Sequence, residues 1–331
     1  MCPRFLHVAN GSATTSLIEA AGIPGRSSVW ADVLYDGPVP GGMSDAELLR
    51  VRARHLSGPA DAAYLDEVNG LQRWRDEIDD VSSYDELVLW YEHDLFDQLN
   101  LLQLLSWLKG RLAASKTVSL VEIGTFPGRP SFKGIGELNP ADMAPLFETR
   151  TPIGDERYVL SERAWTAFRQ SSPETLDEFR RTATRAIPFL DSALKRFLEE
   201  YPWINDGLSR SERRLLEIAS SGPADLWTTF VQMHQGETAY YITDLSLLDL
   251  LREFSRLDPP LITIAGTSLE EHRIPNGTVT ITDRGRAILN GTLDRVATYG
   301  IDRWFGGVHL TPDGVVWRWN DGEQRIVRAA N

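Results

Sequence analysis

The chain has 331 residues, 42% of them apolar and 24% charged, with 34 basic against 47 acidic side chains and a formal net charge of −13. That length suggests two or three domains, and the single cysteine, Cys2, excludes both an intrachain disulfide framework and a Cys-rich zinc site. No segment reaches the roughly 18 consecutive apolar residues of a membrane span and no secretory leader is evident, so a cytoplasmic protein without membrane contact is expected, and the lack of any basic region argues against a nucleic-acid partner.

Taken in chain order, residues 1–150 alternate strand-like and helix-like segments, the pattern of a mainly parallel sheet covered by helices. The first strand is Phe5 to Ala9, followed by Asn10-Gly11-Ser12 and a helix from Ala13 to Ala21. Ser27 to Leu34 reads as the second strand, ending at the turn Tyr35-Asp36-Gly37-Pro38. A charged helical stretch runs from about Ser44 to Asp80, then Glu86 to Tyr91 forms the third strand and Leu95 to Leu112 a long helix. Thr117 to Ile123 is the fourth strand. The fold expected is a Rossmann-like or flavodoxin-like α/β domain.

Residues 151–203 read as a helical connector punctuated by Pro188 and Pro202. From residue 204 to 295 the order changes to three helices and then two strands, which predicts a winged-helix-like α+β domain. Its first helix opens on the capping box Ser209-Arg210-Ser211-Glu212, a second spans Pro223 to Gly236, and a third spans Thr243 to Leu257. The third occupies the position of a recognition helix, yet carries Asp244, Asp249 and Glu253, with Asp258 directly after it, against Arg252 and Arg256, the wrong sign for a DNA groove. A protein partner or a second copy of the chain suits it better. Residues 296–331 hold a Gly-Gly-Val-His-Leu segment and a final aromatic hairpin around Trp317 and Trp319.

In an open parallel sheet, ligands bind beyond the carboxyl ends of the strands, where the strand order reverses. The first strand ends at Asn10, Gly11 and Ser12, a turn whose amides can face an anion at a helix start. The third ends at Glu92, His93, Asp94, Asp97 and Gln98, with Asp94 and Asp97 on one helix face, and the second ends near Asp32 and Asp36. Glu92, His93, Asp94 and Asp97 are the catalytic candidates. They suit either general acid and base chemistry or, through His93, Asp94 and Asp97, a divalent metal cofactor. Asp94 as a plain helix cap is the competing explanation. Asn10, Gly11, Ser12, Asp32, Asp36 and Gln98 are expected around the ligand, with Arg303 and His309 as further contributors from the glycine-rich segment Gly300 to Leu310. Signatures of P-loop ATPases, classical dinucleotide dehydrogenases and serine hydrolases are absent from the sequence.

The segments Leu6-His7-Val8-Ala9-Asn10-Gly11, Trp30-Ala31-Asp32-Val33-Leu34 and Trp90-Tyr91-Glu92-His93-Asp94-Leu95-Phe96-Asp97-Gln98-Leu99 resemble the bacterial family of domain of unknown function 1835. Gly207 to Glu212 and Gly300 to Leu310 resemble the region that usually accompanies it, so the resemblance covers nearly the whole chain. It implies a shared architecture and no reaction. Where the family pattern has an acidic residue after Asn10-Gly11, this chain has Ser12. The reading reached from the residues is an enzyme that performs hydrolysis or group transfer on a small phosphorylated or nucleotide-like ligand at the ends of the first three strands. Its rival is a ligand-sensing regulator whose winged helix contacts DNA or a protein partner.

Overall fold

The computed structural model describes residues 4–58, 61–80, 82–112, 116–182, 184–270 and 273–329, so Cys2 and His272 lie outside the described residues. The chain divides into two compact units, residues 1–194 with 304–309, and residues 195–303 with 310–331.

The first unit opens with β1 (Phe5–Ala9), α1 (Ser12–Ala20), β2 (Arg26–Val29), the two-residue β3 (Gly37–Pro38), α2 (Asp45–Ser57), α3 (Asp61–Asp79), β4 (Glu86–Glu92), α4 (Leu95–Leu108) and β5 (Thr117–Ile123). It continues with a single 3-10 turn at Ile135–Glu137, α5 (Pro140–Phe147), β6 (Thr151–Pro152), α6 (Asp155–Phe168), α7 (Glu174–Arg180) and α8 (Leu190–Leu198), which runs across the boundary. The sheet order is β2-β1-β4-β5-β6, parallel except for β6. The chain therefore winds outward from β1 to β2, then returns past β1 to β4, and the order reverses between β1 and β4.

The central strand explains itself physically. β4 is buried from Leu87 through Glu92, as expected of a strand covered on both faces. Its side chains alternate: Val88 and Trp90 join a core with Ile18 of α1 and Met143 and Phe147 of α5, which leaves Leu87, Leu89 and Tyr91 on the opposite face. In α4 every residue but Phe96 and Ser106 is buried, so the helix has no solvent stripe, and its polar side chains must find partners inside. The Asn100 amide does so by accepting from the Asp32 backbone N–H at 2.8 Å and donating to the Asp32 carbonyl at 2.9 Å, while Gln103 accepts from the Trp30 indole at 2.8 Å.

Several sequence expectations shift accordingly. The second strand ends at Val29 instead of Leu34: Trp30 N still donates to the Ala9 carbonyl of β1, but beyond it the backbone at Asp32 is held by the Asn100 side chain of α4 and not by a neighbouring strand. The helical stretch from Ser44 to Asp80 is two helices, α2 and α3, packed through Leu49, Ala53 and Leu71. Residues 151–194 belong to the first unit, where α6 packs along α4 and α7 along α6.

The second unit contains α9 (Arg210–Ser220), β7 (Ala224–Asp225), α10 (Leu226–Met233), α11 (Asp244–Arg256), β8 (Ile262–Ala265), β9 (Thr278–Ile281), α12 (Asp283–Leu289) and α13 (Arg295–Tyr299), and, after β10 (Arg303–Gly306) and β11 (Val308–Leu310), whose residues 304–309 belong to the first unit with β10 paired to β3 in parallel, β12 (Trp317–Asn320) and β13 (Arg325–Arg328). The predicted capping box is formed, with Ser209 Oγ accepting from Glu212 N and Glu212 Oε2 from Ser209 N. β7, β9 and β8 make a small antiparallel sheet in that order. β12 and β13 form the final hairpin. No helix among the described residues is long and apolar enough to cross a membrane.

Candidate functional site

The carboxyl ends of β1 and β4 meet at the point where the strand order reverses. Asp94 stands at the N-cap of α4, its Oδ1 accepting the backbone N–H of Asp97 at 2.9 Å. The cap starts the helix immediately after the strand and turns Asp97 back under the strand end. Asp97 is fully buried: its Oδ2 accepts the Glu92 backbone N–H at 2.5 Å and the Asn10 side-chain amide at 3.1 Å. Its Oδ1 is buried with no hydrogen-bond partner among the described residues. Asn10 is fixed in turn by Thr14, whose hydroxyl donates to Asn10 Oδ1 at 2.8 Å. Gln98 donates to the Glu92 carbonyl at 2.6 Å.

The Glu92 side chain turns toward a loop that sequence reasoning missed. Ile135 N donates to Glu92 Oε1 at 2.5 Å, and a Cβ built on Gly134 would lie 2.2 Å from Glu92 Oε2. A side chain at Gly134 is therefore incompatible with the carboxyl as it stands. The only sequence signal was the glycine pair in Gly134-Ile135-Gly136. The same loop borders the start of α1, since a Cβ on Gly136 would touch Ala13. Gly11 sits at the N-cap of α1 without a side-chain cap and with open space around it, and Ser12 beside it is exposed.

These carboxyls have no basic side chain paired with them among the described residues. Burial, helped by the Asp94 charge, pushes Glu92 up to about 8. Burial lifts Asp94 to about 6, and burial together with the Glu92 and Asp94 charges drives Asp97 well above the usual carboxylate range. Near neutral pH, Glu92 holds its proton, and Asp94 carries the negative charge at the helix start. His93 is buried between Phe132 and Phe189; desolvation lowers its pKa against an opposing hydrogen bond with the Ile123 backbone.

His93, Asp94 and Asp97 do not form the shared metal arrangement anticipated for them. Among the described residues no group of three or more His, Cys, Asp and Glu is disposed to hold a metal ion. The reason is local: Asp94 faces the Asp97 amide, Asp97 faces Asn10 and the Glu92 amide, and His93 engages the Ile123 backbone.

Other expected ligand residues have different occupations. Asp32 is 3% exposed and holds buried Arg52 through three contacts, Nε to Oδ2 at 2.9 Å and to Oδ1 at 3.2 Å, and Nη2 to Oδ1 at 2.8 Å. Arg52 also donates to the carbonyls of Val33 and Asp36, so this pair ties the loop after β2 to α2. Asp36 lies 3.2 Å from His55 Nε2. Arg303 is in the second unit, 3.4 Å from the buried Glu212 that closes the capping box. His309 is exposed and stacks on Trp304, with ring centroids 4.4 Å apart. The adjacent glycines serve packing: a Cβ on Gly307 would fall 2.1 Å from the Arg169 carbonyl oxygen, and Gly307 N donates to the Phe168 carbonyl at 3.0 Å. His7, expected inside the first strand, is buried and accepts from the Trp90 indole at 3.2 Å.

Asn10, Glu92, Asp97 and Gln98 thus form one hydrogen-bonded group, with Gly134 and Ile135 added to it. Comparison of the sequence with protein-family models and with curated proteins finds no match.

Proposed function

We propose that the first unit is a flavodoxin-like enzyme domain that binds a small phosphorylated or nucleotide-like ligand at the carboxyl ends of β1 and β4, and acts on it by hydrolysis or group transfer. The observation that carries this reading is the coincidence of three features at the sheet's reversal point: an uncapped helix start at Gly11, a buried protonated Glu92, and a buried Asp97 that holds Asn10. The uncapped first turn of α1 offers backbone N–H groups and a positive dipole end to an anion. Glu92, poised near neutrality, is the general acid that delivers a proton to a leaving group or recovers one from water. With Glu92 neutral, the cluster repels a phosphate less than three carboxylates would. The resemblance to the bacterial family of domain of unknown function 1835 is consistent with a common site, from whose pattern this chain departs at Ser12, in the place of an acid.

The second unit supports a companion role. We read its order of α9, β7, α10, α11, β8 and β9, with β7 beside β9, as a winged-helix arrangement. Acidic α11 fits contact with a protein better than contact with DNA.

A thermal-shift screen with nucleotides and sugar phosphates tests the proposal, because a ligand that binds only the folded state raises the melting midpoint by mass action. A rise in the wild type that is lost in Asn10→Ala and reduced in Glu92→Gln supports it. No shift with any phosphorylated compound, in a protein that is otherwise folded, counts against it.

A further inference from the structure

The second unit contains a cavity of about 270 Å3 lined in part by Trp203, Arg210, Arg213, Arg214, Glu217 and Asp321. That volume lies just under the range of small-metabolite pockets, roughly 300–1,000 Å3. The three arginines project from α9, and they are not equivalent.

Arg210 is committed, with contacts to Glu199 at 2.5 Å and Glu237 at 3.3 Å. Arg213 reaches buried Asp206 through Nη2 and lies over the Trp203 ring, 5.5 Å from its centroid. Arg214 donates from Nη2 to the Gln232 carbonyl at 3.0 Å. Each of these last two guanidiniums is therefore anchored at one end. At the other, Nη1 of each faces Glu217, while the Nε atoms are buried and have no hydrogen-bond partner among the described residues. The carboxylate that both share, Glu217, stands 3.9 Å from Arg213 and 3.8 Å from Arg214, too far for a hydrogen bond, and its side chain is 44% exposed. A pair this long and this solvated contributes little, so an incoming anion displaces it at small cost.

We infer that this cavity is a binding site for a small ligand bearing an oxyanion, a carboxylate or a phosphate, gripped by Arg213 and Arg214 in place of Glu217, with the Trp203 ring as its apolar wall. Adjacent guanidiniums on one helix present planar donor pairs, the geometry that oxyanions take best. Glu217 is the internal competitor that keeps the arginines neutralised while no ligand is bound. This site is independent of the one at β1 and β4.

The test is calorimetric titration of the whole chain with inorganic phosphate and, separately, with succinate, each against potassium chloride at matched ionic strength. The Arg Nε–H signals are followed by NMR in the same solutions. Binding of either anion, with movement of the Arg213 and Arg214 Nε–H signals, supports the site, and the anion that binds names the ligand's acidic group. Arg214→Gln weakens binding about tenfold, the loss of one charge-assisted hydrogen bond. Glu217→Gln, an exposed change that leaves the fold intact, tightens it several-fold, whereas a purely structural Glu217 predicts no gain. The inference is overturned if neither anion binds, or if binding is indifferent to both substitutions.

Discussion

The side-chain amide of Asn10 donates to Asp97 Oδ2 at 3.1 Å, so the end of β1 is tied to the first turn of α4 across the point where the strand order reverses. A buried carboxyl is thereby held between an amide side chain and the Glu92 backbone N–H, with no cation beside it among the described residues. Replacing Asn10 with Ala strands the Asp97 carboxyl and removes the acceptor of Thr14. The expected loss is about 1–3 kcal/mol of folding free energy, read by urea denaturation.

The carboxyl cluster makes stability depend on pH with a definite sign. The folded protein retains protons at Glu92 up to about 8 and at Asp94 up to about 6, whereas the unfolded chain releases them near 4. The cluster's contribution is therefore complete below about 4 and is lost as the pH rises from there, ending near 6 for Asp94 and near 8 for Glu92, by up to about 1.4 kcal/mol per pH unit for each proton involved. Denaturation midpoints measured from pH 5 to pH 9 should fall, and Glu92→Gln should flatten the upper part of the decline.

His7 acts in the opposite direction. Its Nδ1 accepts from the Trp90 indole, which can only donate, so the ring proton sits on Nε2 and reaches the Pro24 carbonyl at 3.1 Å. Burial lowers the His7 pKa, and its contribution is present above the ordinary histidine value of about 6.5 and lost as the pH falls through it. Nitrogen-15 spectra should show the Nε2–H tautomer persisting below that value; a ring that is doubly protonated there contradicts the assignment.

Asp32 and Arg52 should behave as a stability pair and not as ligand contacts. Arg52→Ala leaves the 3% exposed Asp32 carboxylate without its cation, at an expected cost of about 3–5 kcal/mol. Ligand-induced shifts should survive in whatever fraction of this variant remains folded.

Much of the frame was readable from residue patterns, and the misses have physical causes. β4 was legible because a strand buried on both faces must be a continuous apolar run, and Asp94 was legible as a cap because it directly precedes an apolar helix. The second strand was overextended because Trp30 to Leu34 has strand-like composition, while its backbone is satisfied in part by the Asn100 side chain, a partner 68 residues away. Asp32 looked like an acidic site edge because no local signal reveals Arg52 as its partner. The loop at Gly134 and Ile135 has no period to detect, so its hold on Glu92 emerges only in three dimensions. The segment around Gly306 and Gly307 advertised close backbone approach correctly, but what approaches is the α6 carboxyl terminus.

The most direct test of the central proposal is an amide chemical-shift map of the wild-type protein titrated with a nucleotide or sugar phosphate. The account predicts the largest changes at Gly11, Ser12, Glu92 and Ile135, saturating together and abolished by Asn10→Ala. Changes confined to the second unit, with those four amides unmoved at saturation, would contradict it.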